Sequence, residues 1–109
     1  MTKNERIETL ARICWDYMEE LNKVAEKSYE VARKIYNNDP DTNTEQLKLI
    51  DRRMKRLREK FIYPLSNLLS LEGVQLMKME NGKLKLLMKD KREIIVDVEG
   101  LEPRIERFL

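Results

Sequence analysis

Between positions 4 and 37, small and apolar residues recur in alternating steps of four and three: Ile7, Ala11, Cys14, Met18, Leu21, Ala25, Ser28, Ala32 and Ile35. That alternation traces the seam along which helices pack. Two flanking stripes keep a strict spacing of seven, one through Leu10, Tyr17, Val24 and Val31, the other through Trp15, Asn22, Tyr29 and Tyr36. The pattern predicts one helix over 4–37, about 50 Å long. Thr2 or Asn4 can cap its start, and Asn37-Asn38-Asp39-Pro40 stops it. Ala11, Ala25, Ser28 and Ala32 are small enough to let a neighbouring backbone approach closely. The apolar face takes four of every seven positions, wider than one partner helix needs. A homodimer is therefore expected, with Trp15, Asn22, Tyr29 and Tyr36 at its interface.

A second helical period follows over 44–70, with Thr44 as N-cap and Leu47, Ile50, Met54, Leu57 and Phe61 facing the core. The short link through Pro40 implies an antiparallel hairpin with the first helix. Pro64 should kink the second helix, or end it and restart a short one. After Gly73 the period drops to two. VQLMKME, Asn81-Gly82 and KLKLLMK read as a β-hairpin with a type I′ turn, and KDKR leads into EIIVDV. Val74, Leu76, Leu84, Leu86, Met88, Ile94, Val96 and Val98 would then line one face of a three-stranded meander over 74–98. So small a sheet needs helices to pack on. The reading is a single α+β domain over 1–109, helix dominant. A long antiparallel helical hairpin precedes a small antiparallel β-meander, and a tail over 100–109 is loosened by Gly100 and Pro103.

Composition changes this picture little. Hydrophobic residues make up 41% and charged residues 39%, which suits a folded chain with a heavily charged surface. No apolar run approaches a membrane span, and MTKNERIE lacks the apolar core of a signal peptide. The lone Cys14 fits a reducing compartment, so a cytoplasmic location is expected. The net charge of +2 is unevenly spread, with seven basic against four acidic side chains over 41–70. Lys48, Arg52, Arg53, Lys55, Arg56 and Lys60 fan across the face of the second helix opposite its apolar stripe. Such a face is ordinarily just solvated, but it is also the one place where a nucleic-acid backbone would be attracted, weakly and without sequence preference.

Catalytic chemistry finds no footing. Without histidine there is no Ser-His or Cys-His pair and no histidine metal ligand, and the three glycines form no phosphate loop. Glu19-Glu20 is similar to the start of the Glu-Glu-x-x-Glu metal motif of all-α nucleotide pyrophosphohydrolases, yet the third position is Lys23. No enzyme activity, cofactor or metal is expected.

The chain ends in Glu102-Pro103-Arg104-Ile105-Glu106-Arg107-Phe108-Leu109. This peptide resembles the PCNA-interacting box by which replication and repair proteins plug an apolar pocket on a sliding clamp. The resemblance implies that Ile105, Phe108 and Leu109 are the three anchors, with Glu102 standing where that pattern has glutamine and Leu109 where it has a second aromatic. The same spacing also describes an ordinary amphipathic turn that closes a core. The function expected from the whole is a non-enzymatic adaptor or regulatory subunit of nucleic-acid-processing machinery, oligomerising by its long helix and docking a protein partner by its tail. The alternative is a nucleic-acid-binding protein using residues 48–60.

Overall fold

The computed structural model describes residues 2–97. It contains α1 (Lys3–Tyr36), α2 (Thr44–Leu57), a π-helical turn (Arg58–Ile62), α3 (Tyr63–Leu71), β1 (Val74–Glu80), β2 (Lys83–Met88) and β3 (Glu93–Asp97). The three strands form one antiparallel sheet in the order β1-β2-β3. The arrangement is α+β and helix dominant, as its periodicities imply. At about 1.5 Å per residue, the 34 residues of α1 account for most of the 54 Å long axis.

Helix ends follow local chemistry. Thr2 caps α1 by accepting from the Glu5 N–H at 3.2 Å. At the other end Asn38 takes a φ of +58°, the Asn38 N–H bonds Ile35 O, and the Asp39 N–H bonds Lys34 O. That pair of bonds is the Schellman closure, with asparagine in the left-handed position usually held by glycine. The cap of α2 is Asn43 rather than Thr44. Its extended backbone and its Oδ1, which accepts from the Glu45 and Gln46 N–H groups, move Thr44 to the first helical position.

At Pro64 a short helix, α3, restarts as the sequence allows, but the helical path from Thr44 to Leu71 is not interrupted. Upstream of the proline the chain widens into a π-turn in which the Tyr63 N–H reaches back to Arg58 O. A proline lacks an N–H and crowds the carbonyl four residues back, and an expanded turn relieves both problems within a continuous helix. The extra residue also lets the adjacent pair Phe61 and Ile62 both turn inward. Ile62 is buried, and Phe61 stacks on Tyr17 with ring centroids 4.4 Å apart.

Two apolar clusters divide α1 between them. Ile7, Ala11 and Cys14 join Leu69 of α3 and Val74, Leu84, Leu86, Met88 and Val96 of the sheet. Farther along, Tyr17 and Val24 join Leu57 and Ile62, with Ile50, Met54 and Phe61 packed around them. Met18 and Leu65 touch both. Burial thus slides off the predicted seam onto the Tyr17–Val24 stripe, and Ala32 ends up exposed. A seven-residue repeat drifts by about 20° per heptad on a straight helix, and α1 meets the sheet first and α2 later.

The sheet corrects one expectation. Asn81 and Gly82 both have positive φ, as the type I′ turn requires. Pairing along β1, however, jumps from Val74↔Met88 to Leu76↔Leu87, leaving Gln75 as a bulge. A one-residue slip exchanges the two faces. Leu76 is therefore 52% exposed, and Met77 and Met79 take its place against the core. Leu84, Leu86, Met88 and Val96 are buried and Ile94 partly so, whereas Val98 lies outside the described residues.

Candidate interaction surfaces

The stripe through Trp15, Asn22, Tyr29 and Tyr36 meets two different surroundings. Trp15 is partly buried against the sheet-side cluster, and its Nε1 donates to Glu19 Oε1 at 2.7 Å. Beyond the sheet the same stripe opens to solvent. Asn22 is exposed, Tyr29 is 79% exposed and Tyr36 is 86% exposed. Over this distal half α1 presents its Val24 and Val31 side to α2, because Leu21, Val24, Ala25, Ser28, Val31 and Ile35 are its less exposed positions. The tyrosine stripe sits roughly 110° around the helix from the centre of that contact. Two large aromatic rings thus stand clear of the core.

All six predicted cations of the α2 region are exposed, on a helix that continues through the π-turn. Two already have partners. Arg53 reaches across the hairpin to Glu20 at 2.6 Å, and Lys48 pairs with Glu45 at 3.1 Å. Arg52, Lys55, Arg56 and Lys60 take part in no ion pair among the described residues. The face offers four unengaged positive charges, with Asp51 and Glu59 exposed on the same helix.

Several candidate chemical groups turn out to be structural. Glu19 holds the indole of Trp15 and Glu20 holds Arg53. Cys14 is buried with its Sγ 3.8 Å from Ser66 Oγ. Burial pushes its pKa above the ordinary thiol range, while the contact with Ser66 pulls it partly back, so at neutral pH it is a packed thiol rather than a nucleophile.

No family model matches this chain. Neither does any curated protein or solved structure.

The tail residues Glu102, Ile105, Phe108 and Leu109 lie outside the described residues. Two surfaces went unread in the sequence. Leu49 is 62% exposed and lines an open groove along the hairpin with Glu20, Lys23, Val24, Lys27, Ile50 and Arg53. Leu68 and Leu71 of α3 and Leu76 of β1 are also exposed. Leu49 sits next to the core residue Ile50, so helical period alone would have placed it on the flank. The outward turn of Leu76 depends on the bulge, which leaves no mark in the hydrophobic pattern.

Proposed function

We propose that this chain is a non-enzymatic adaptor or regulatory subunit of nucleic-acid-processing machinery. It self-associates through the distal half of α1 and docks a protein partner, a sliding clamp, through Glu102, Ile105, Phe108 and Leu109. The observation that supports the first part is the pair Tyr29 and Tyr36. Tyrosines in a mostly exposed stripe, on a helix end that among the described residues is covered by α2 on one side, are the residue type that interfaces favour. The tail carries the second part through its resemblance to clamp-binding peptides. Glu19, Glu20 and Cys14 are absorbed by structural contacts, which is why no catalytic role is assigned to them.

Titrating a labelled sliding clamp with the full chain, and with a chain ended after Glu102, tests the docking half. The full chain should bind and the shortened one should not, a loss of about 2–4 kcal/mol for an aromatic anchor. Equal affinity of the two, or none in either, removes the clamp from the proposal.

A second reading is supported by the four unengaged cations of α2. On that reading Arg52, Lys55, Arg56 and Lys60 hold a nucleic-acid backbone by charge alone, with affinity falling steeply as salt rises.

A further inference from the structure

The exposed stripe of α1 is the middle of a second seam. Asn22, Ala25, Tyr29, Ala32 and Tyr36 are spaced three, four, three and four apart, the a/d spacing of a coiled coil. Asn22, Tyr29, Ala32 and Tyr36 are exposed and Ala25 is half-buried. At about 100° per residue, one flank of this seam carries Leu21, Ser28 and Ile35, which already turn toward α2. The other flank carries Glu26 and Arg33. Both are exposed, and neither takes part in an ion pair among the described residues. Among the described residues the chain thus builds a helix seam flanked by one negative and one positive charge and pairs neither of them.

We propose that this seam receives the same seam of a second copy, running antiparallel about a two-fold axis at Tyr29. The inference rests on the reading that α1 self-associates, and it adds the orientation and the contacts. Two observations select the antiparallel arrangement. The first is charge. Around an axis at Tyr29, Glu26 lies within one residue, about 1.5 Å along the helix, of the partner's Arg33, and symmetry repeats the pair on the other side. In a parallel dimer this flank would instead face the partner's Leu21, Ser28 and Ile35 row, and both charges would go unanswered. The second is space. Trp15 belongs to the same stripe and is covered by the sheet-side cluster. A parallel partner would bring a second sheet to the place the first one occupies. An antiparallel partner ends at its own Tyr36, opposite Asn22, and stops short of the covered tryptophan.

Ala25 and Ala32 let the two backbones approach on either side of the central tyrosines. The shared stretch from Asn22 to Tyr36 is about 21 Å of helix, or four turns, a smaller contact than the interfaces of roughly 1,600 Å² typical of stable complexes. The dimer should therefore dissociate in the micromolar range. Because Ala11 lies eighteen residues from the axis, the two sheet-bearing ends would sit about 54 Å apart. Each copy would then offer its tail to a separate site.

Charge exchange in the full chain, read by sedimentation equilibrium at low salt, tests this. Glu26→Arg and Arg33→Glu should each weaken self-association about tenfold, since two pairs change from attraction to repulsion at once. An equimolar mixture of the two single variants should regain the wild-type affinity, because every Arg then meets a Glu. The double variant should regain it alone. Recovery in the mixture also shows that both variants fold. If the wild-type chain dimerises, Tyr29→Glu splits it and the charge exchanges do nothing, the antiparallel orientation is wrong while self-association stands. A wild-type chain that stays monomeric throughout the micromolar range overturns both. Dimerisation only after removal of residues 98–109 would mean that the chain's own tail covers the stripe, and it too overturns the proposal.

Discussion

Replacing Leu76 and Met77 in turn measures which of two adjacent residues the sheet buries. With Gln75 bulged, Met77 pairs with Leu86 on the core face and Leu76 with Leu87 on the outer face. Leu76→Ala removes about three carbon groups, worth about 0.8 kcal/mol each when fully buried. Leu76 is 52% exposed, so roughly half of that is at stake and the loss should be close to 1 kcal/mol. Met77 packs on a cluster containing Leu84 and Leu86, both fully buried, and Met77→Ala also leaves a void against that cluster. A loss of about 2–3 kcal/mol is expected, toward the lower end for methionine because the side chain is only partly buried. Urea unfolding followed by circular dichroism reads the difference. With a slope of about 1–2 kcal/mol per molar, the two midpoints should separate by roughly 1 M. Lysine widens the contrast, since Leu76→Lys keeps its charge in water and Met77→Lys must bury it. An unbulged sheet reverses the order. If Leu76→Ala costs more than Met77→Ala, the register described for β1 is wrong.

Changing Arg52, Lys55 and Arg56 together to glutamine should leave the melting temperature nearly unchanged, because unpaired exposed charges contribute under about 1 kcal/mol. If the same variant also leaves low-salt DNA and RNA binding unchanged, the nucleic-acid reading fails. Lys91 is held at a φ of +71° in the turn between β2 and β3, so Lys91→Gly should raise stability by a few tenths to about 1 kcal/mol in urea unfolding. Asn38→Gly should gain less, since asparagine tolerates that conformation better than lysine does. Cys14 has its pKa raised in the folded chain, chiefly by burial. The stability this thiol contributes is complete at neutral pH and is lost as pH climbs past about 8.5, where the unfolded chain begins to release the proton. At pH 7 its alkylation should follow the rate of unfolding, and fast alkylation of the folded chain would contradict the buried placement.

Long-range periodicity makes most of the architecture legible in the sequence. The span of α1, the antiparallel hairpin and the Asn81-Gly82 turn each rest on many residues agreeing or on one dipeptide with a strong backbone preference. Features that turn on a single residue were not legible. Asn43 and Thr44 are both good caps, and only the backbone decides between them. Pro64 announces a disturbance, but a kink, a break and a π-turn all relieve the same clash. The bulge at Gln75 is compatible with either face of MKME, since Leu76, Met77 and Met79 are all apolar. The same limit applies to the surfaces. The breadth of the apolar face on α1 implied more than one neighbour, yet which stripe would be covered depended on where the sheet landed. It landed on Trp15 and left Tyr29 and Tyr36 open.

The position of Trp15 gives the protein a built-in optical probe. It is the chain's only tryptophan, and it rests on the sheet-side cluster with its indole N–H bonded to Glu19. Intrinsic fluorescence therefore watches the sheet leave α1 and is nearly blind to the opening of the hairpin around Tyr17 and Phe61. Far-ultraviolet dichroism is weighted the other way, toward the helices. Superimposed melting curves from the two signals would mean that the clusters meeting at Met18 and Leu65 come apart together. An earlier fluorescence transition would mean that the sheet can lift away as a unit while the hairpin persists.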